Sequence, residues 1–205
     1  MSNPWNDIDL TAYENHMSLE HVYQLQTMNE MMKEQFGSYP VETVMILGIA
    51  GGNGLEHIAP HQFHSVYGVD INPDYLNECR QRYPVLADTL NLICADLLDE
   101  NVRLPRAELL VANLLVEYIG YECFQKIVKL VNPQVVSCVI QINTETSFVS
   151  DSPYLHVFDR LEEVHHQMEE RALADCLLEI GYTQKQVKNK VLPNGKKLVQ
   201  LDFIH

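Results

Sequence analysis

The stretch Val44-Met45-Ile46-Leu47-Gly48-Ile49-Ala50-Gly51-Gly52-Asn53-Gly54 decides the fold. A continuous apolar run, as a strand buried on both faces requires, stops at a cluster of glycines. A short helix-compatible segment, Leu55 to Ala59, follows, and Pro60 ends it. Strand, glycine turn and helix start, in this order, bring bare backbone N–H groups close to a ligand. Glycine is suited to the turn because a side chain would block the approach, and because such turns often need positive φ.

Downstream the pattern recurs. Ser65-Val66-Tyr67-Gly68-Val69-Asp70 reads as a second strand ending in an acid, and Asn72 with Pro73 caps and starts a helix running to about Tyr83. Leu90 to Asp96 reads as a third strand, again ending in Asp, and Glu108 to Asn113 as a fourth. A helix is expected from about Tyr118 to Val131, and a fifth strand from Gln134 to Asn143. After a loop over 144–158 comes a long helix from about Arg160 to Ile180, with Leu161, Val164, Met168, Ala172, Cys176 and Ile180 on one side. Gly181 stops it. Pro193-Asn194-Gly195 then joins two strands, about 182–191 and 196–204, because Asn-Gly is a strong hairpin signal. Strands alternating with helices imply an α/β fold: a doubly wound, mostly parallel seven-stranded sheet closed by an antiparallel hairpin strand, with helices on both faces.

Upstream, residues 1–12 read as a loose leader. From Ser18, an N-cap, Val22, Leu25, Met28, Met32 and Phe36 form one apolar face until Gly37. This stripe reads first as packing against the domain, and second as a lid over a ligand, since Met adapts to irregular surfaces. Residues 1–40 are therefore set apart as an N-terminal helical cap, and 41–205 as the ligand-binding domain.

Composition narrows the partners. The chain has 205 residues, 46% hydrophobic and 20% charged, which suits one domain with a sizeable core. Its net charge of −14 supplies phosphate neutralisation poorly, so nucleic acid is not the expected partner. Lys185, Lys188, Lys190, Lys196 and Lys197 form a local basic patch, but they fall on the expected solvated hairpin. No apolar run reaches the roughly 20 residues of a membrane helix. The first residues lack the basic and apolar regions of a signal peptide. Cys79, Cys94, Cys123, Cys138 and Cys176 show no CxxC pair, so reduced thiols in a cytoplasmic protein are expected, with no metal site. A homodimer is left open.

In open α/β sheets ligands bind outside the carboxyl ends of the strands. Those ends supply the glycine turn, Asp70, Asp96 and Asn113. A carboxylate at Asp70 can accept hydrogen bonds from both ribose hydroxyls, and Asp96 is placed to read an adenine amino group. The dinucleotide fingerprint G-x-G-x-x-G is absent, as are the phosphate-loop G-K-[ST] and a Y-x-x-x-K pair. A flavodoxin-like module fits the length but not the terminal hairpin.

With LGIAGGNG, VYGVDINPDYL, ICADLL and LLVANLLVEYI in this order, and the final hairpin, residues 41–205 resemble the class I S-adenosylmethionine-dependent methyltransferases. The resemblance implies S-adenosylmethionine as cofactor, with Ala50, Gly51, Gly52 and Gly54 along the methionine moiety. It places Asp70 at the ribose, Ile71 against the adenine, Asp96 and Leu97 at the adenine, and Asn113 beside the sulfonium. Two positions depart from the pattern. Gly48 stands where the family usually has an acid that helps hold the methionine ammonium, and Ala50 replaces the first glycine of G-x-G-x-G. Ammonium binding then falls to backbone carbonyls, Asn113 or the N-terminal segment. The fourth strand also lacks the N-P-P-[YF] of methyltransferases acting on adenine or glutamine.

Methyl transfer from a sulfonium is an in-line displacement, so positioning can supply most of the catalysis, with a base only where the acceptor must lose a proton. His16, Glu117 and Tyr118 are the acceptor-facing candidates. Met17, Tyr13, Glu145, Tyr154 and His156 lie at the same edge. His165 and Glu169, one turn apart on the long helix, read mainly as a hydrogen-bonded core edge. The expected activity is methyl transfer to a small-molecule acceptor. The alternatives are a non-catalytic S-adenosylmethionine-binding or protein-interaction module, or an RNA or protein methyltransferase.

Overall fold

The computed structural model describes residues 3–59, 61–143 and 148–205. Seven strands form one sheet: β1 (Thr43–Leu47), β2 (Ser65–Asp70), β3 (Leu90–Cys94), β4 (Leu109–Asn113), β5 (Val135–Ile142), β6 (Thr183–Val191) and β7 (Lys197–Ile204). Their order is β3-β2-β1-β4-β5-β7-β6. The pairings from β3 to β5 are parallel, and β7 runs antiparallel between β5 and β6. The strand order reverses between β1 and β4, the switch point at which such sheets open a crevice.

The apolar run of β1 is continuous because both of its faces are covered. Met45 and Leu47 enter one core with Phe124, Ile127 and Val128 of α4 (Val116–Val131) and Leu173 and Leu177 of α5 (Glu170–Leu178). Val44 and Ile46 enter the other with Met32 and Phe36 of α2 (Gln24–Gly37) and Leu76 and Cys79 of α3 (Pro73–Arg82). Each such fully buried aliphatic side chain contributes about 1.5–3 kcal/mol. The Met stripe of α2 is packing: Met28 and Met31 join Val139, Leu192 and Leu198 in a further cluster.

Four local expectations are corrected. The leader is not loose. A 3-10 turn at Pro4–Asn6 precedes α1 (Leu10–Ser18), which Asp9 caps by accepting from the Ala12 N–H. Ser18 is thus the last residue of α1 and not the cap of α2, which starts after Tyr23 in the left-handed region. The segment after the glycine turn is a 3-10 helix over Leu55–His57, and Pro60 lies outside the described residues.

The long helix expected over 160–180 is broken. A 3-10 helix, Leu155–Glu163, and α5 are separated by 164–169, because tertiary hydrogen bonds replace the helical ones there. The His166 N–H donates to the Glu117 carbonyl at 2.6 Å, and the Glu169 N–H donates to the Tyr121 hydroxyl at 2.8 Å. The buried face of α5 is consequently Leu173 and Leu177, one residue on from the expected Ala172 and Cys176.

The hairpin lysines do not form a continuous patch. Lys188 pairs with Glu34 at 2.6 Å, Lys197 with Glu170 at 2.7 Å, and Lys196 is buried. No helix among the described residues is long and apolar enough to cross a membrane. No cluster of metal-ligating side chains occurs among them.

Candidate functional site at the carboxyl edge

A cleft opens at the switch point. Seven of the expected cofactor residues line it: Gly48 and Ala50 after β1, Asp70 and Ile71 after β2, Asp96 and Leu97 after β3, and Asn113 at the end of β4. Gly51 lines a neighbouring pocket that shares Gly48, Ala50 and Asn113. Gly52 and Gly54 turn elsewhere. A Cβ on Gly52 would press on Tyr83 and Cys79 of the α3 end, and one on Gly54 on Met32 of α2. At these two positions the missing side chain makes room for close packing of the turn.

Asp70 is buried, and its side chain is fixed by two backbone donors. The Ala50 N–H donates to Oδ2 and the Asn72 N–H to Oδ1, both at 2.9 Å. Burial pushes its pKa up, while these donors oppose the shift. Asp96 is exposed and accepts from the Leu98 N–H at 2.9 Å. Asn113 forms a reciprocal amide pair with Gln35 of α2, at 2.8 and 3.0 Å. Gln35 also donates to Ser137 at 2.9 Å, and Ser137 donates to the fully buried Asp202 at 2.6 Å, so the sheet interior anchors the amide.

The absence of an acid at position 48 has a backbone reason. Gly48 has φ +68°, and a Cβ there would come within 3.2 Å of Leu115 Cδ1. A carboxylate reaches the same region from α1. Glu14 lines the pocket beside Gly48, Ala50 and Gly51, and Arg82 of α3 holds it at 2.5 and 2.9 Å.

The N-terminal segment roofs the cleft. Trp5 and Tyr13 line it from above. Asn72, while capping α3, also donates to the Trp5 carbonyl at 3.0 Å, and the Tyr75 hydroxyl donates to the Ile8 carbonyl at 2.9 Å. Trp5, in the stretch expected to be a loose leader, is a cleft residue that the sequence pattern does not single out. Its one signal is that it is the chain's single tryptophan.

A second cavity adjoins the first. His16, Glu117 and Tyr118 all line it, and Tyr118 lines both cavities together with Trp5, Tyr13 and Leu114. These four side chains belong to the walls of both cavities. Leu114 holds φ +53°, an uncommon conformation for a branched residue. Glu117 is buried. Its Oε1 accepts from the Gln141 N–H at 2.8 Å, while Oε2 has no hydrogen-bond partner among the described residues. Burial pushes its pKa up to about 7. Burial, with the positive charge of Lys196 among the lesser causes, lowers His16 and His165 to about 4, so both are neutral at pH 7.

His165 does not pair with Glu169. Its ring stacks on Phe148 with centroids 3.9 Å apart, whereas Glu169 is exposed at the end of the helix break. Tyr154 packs in the cluster of Ile8 and Phe158, Met17 lines the second cavity, and His156 is exposed. Glu145 lies outside the described residues.

Scanned against models of known protein families, the chain matches none. Among solved structures it is similar to magnesium protoporphyrin IX methyltransferase from Synechocystis PCC 6803 with bound S-adenosylhomocysteine. The TM-score is 0.62 at 13% identity, over 94% of this chain and 87% of that one. It is also similar to geranyl diphosphate C-methyltransferase from Streptomyces coelicolor A3(2), at TM-score 0.64 and 11% identity, over 87% of this chain and 77% of that one. The chain therefore has the class I S-adenosylmethionine-dependent methyltransferase fold. Among curated proteins it is 22% identical over 181 residues to carboxy-S-adenosyl-L-methionine synthase from Ruthia magnifica subsp. Calyptogena magnifica, across 84% of this chain and 72% of that protein.

Proposed function

We propose that this chain is an S-adenosylmethionine-dependent methyltransferase acting on a small-molecule acceptor. The observation that carries the reading is the meeting of two cavities at one frame of Trp5, Tyr13, Leu114 and Tyr118. A nucleoside held in the first can present its methyl group through that frame to an acceptor in the second. In-line displacement needs this alignment and the exclusion of water more than it needs a catalytic group.

In this reading Asp70 holds the ribose, with Ile71, Asp96 and Leu97 around the adenine. Asn113 and the backbone at Gly48, Ala50 and Gly51 flank the methionine portion. Glu14 takes the ammonium that an acid after β1 usually receives, because its carboxylate sits at the same turn. His16, Glu117 and Tyr118 face the acceptor. The N-terminal segment acts as a cap, a role supported by its bonds to Asn72, Tyr75 and Arg82. Cytoplasmic residence is part of the reading and is supported by five free cysteines. A homodimer belongs to the same expectation, and light scattering checks it.

Titration calorimetry with S-adenosylmethionine and S-adenosylhomocysteine tests the proposal. Saturable binding of both is expected, and no binding at high micromolar ligand would sink it.

A second reading follows from the likeness to carboxy-S-adenosyl-L-methionine synthase: the chain modifies S-adenosylmethionine itself, and the second cavity takes a carboxylated co-substrate. Mass spectrometry separates the two. Methyl transfer releases S-adenosylhomocysteine, whereas the second reaction yields a carboxylated sulfonium.

A further inference from the structure

The second cavity has a chemistry that narrows its occupant. Rings cluster on one part of its wall: Trp5 and Tyr118 meet edge to face at 4.9 Å, Tyr118 and His165 at 5.9 Å, and His165 stacks on Phe148. Phe158 closes the far side against His16, with centroids 4.8 Å apart. Gln24, Gln141, Ser150 and Lys196 also line this cavity, and among the described residues it has one carboxyl group, Glu117, with one oxygen used and the other unpartnered. A buried acceptor atom left without a donor is unfavourable, so a ligand that supplies the donor is favoured there.

We propose that the acceptor is a compact hydroxyaromatic compound, its ring against the aromatic wall and its hydroxyl donating to Glu117 Oε2. The inference rests on the methyl-transfer reading and names the substrate class for that site. A planar ring fits because offset and edge-on ring contacts add attraction beyond simple burial. A hydroxyl on that ring fits because its acidity, like that of tyrosine near 10, lies within reach of a carboxylate raised towards neutrality. An alkyl ammonium would enter this enclosure charged, and an aliphatic alcohol would be too weak an acid for this base.

The step balances. The hydroxyl oxygen forms a bond to the methyl carbon as the carbon–sulfur bond breaks, and that electron pair returns to sulfur, leaving a neutral thioether. The hydroxyl proton passes to the Glu117 carboxylate and from there to solvent. Lys196, fixed in the wall by its bond to the Phe148 carbonyl, adds a positive potential that favours the developing phenolate.

The test incubates the full chain and S-adenosylmethionine with phenol, catechol and 4-hydroxybenzoate, against toluene, benzyl alcohol and benzylamine. Release of S-adenosylhomocysteine and formation of a methyl ether with at least one hydroxyaromatic, and with none of the controls, is the expected result. E117Q, which retains the shape, should lower kcat by about 100-fold or more while cofactor affinity stays within twofold. Phe148→Ala should raise KM for the aromatic by about tenfold with a smaller change in kcat. Cofactor binding without methylation of any hydroxyaromatic, or undiminished kcat in a cofactor-binding E117Q, overturns this inference and leaves the methyltransferase reading standing. Absence of cofactor binding overturns both.

Discussion

Glu14 on α1 grips Arg82 at the end of α3 with both carboxylate oxygens, and the pair spans the glycine turn. The residues are 68 apart in sequence, and both are partly exposed. As an ion pair alone the contact contributes about 0–1 kcal/mol to stability. Its position beside Gly48 and Gly51 gives it a larger consequence for binding. E14Q is expected to weaken S-adenosylmethionine by about 1–3 kcal/mol, the range for a lost charge-assisted hydrogen bond, while thermal stability falls far less. Calorimetry and a melting curve on the same variant check this, and unchanged affinity would return Glu14 to the role of a clasp.

The backbone at Gly48 predicts that the missing acid cannot simply be restored. G48D places a side chain at φ +68° and against Leu115, at a conformational cost of about 1–2 kcal/mol. The variant should be less stable and bind the cofactor no better than the parent. Tighter binding would mean that the turn relaxes more readily than its geometry implies.

Asp70 anchors two backbone N–H groups and is the carboxylate assigned to the ribose. D70A should weaken cofactor binding by about 1–3 kcal/mol and also lower stability, since the donors of Ala50 and Asn72 lose their acceptor. If only stability changes, the nucleoside lies elsewhere in the cleft.

Glu117 predicts two pH dependences of opposite sense. As a base it must be ionised, so turnover should rise as pH passes about 7. Tyr13, His16, Tyr118, His165 and Lys196 share its surroundings; Tyr13 and Tyr118 are pushed far above this range, and the two histidines to about 4. For stability, a carboxyl whose folded pKa is raised above its unfolded value favours folding below the unfolded value. That contribution is lost as pH rises from about 4.5 through about 7. The loss is roughly 3 kcal/mol at full ionisation. Denaturant melts at pH 5 and pH 8 should show the parent losing more stability than E117Q.

The sheet was legible because the parallel strands carry apolar residues, a polar end and in places a helix start such as Asn72-Pro73, while Asn194-Gly195 marks the polar β6 and its partner β7 as a hairpin. Strand ends are also where this fold collects ligand residues, so seven of the ten cofactor candidates meet in one cleft. The roof was not legible in the same way. Nothing local in Trp5 or Ile8 discloses that Asn72 and Tyr75, 67 residues away, donate to their carbonyls. The break at 164–169 failed for the same reason, since apolar spacing continues through it while the hydrogen bonds leave the helix for Glu117 and Tyr121. Gln35 reads as an ordinary polar helix position, and only the fold brings it to Asn113.

The placement of Trp5 has a practical consequence. It is the sole indole of the chain, and it stands in the wall common to both cavities. Its emission is an intrinsic optical reporter of occupancy on either side. Filling the first cavity, filling the second and lifting the roof should each shift its spectrum differently. Stopped-flow fluorescence on the unlabelled protein can therefore time the order in which donor, acceptor and cap arrive.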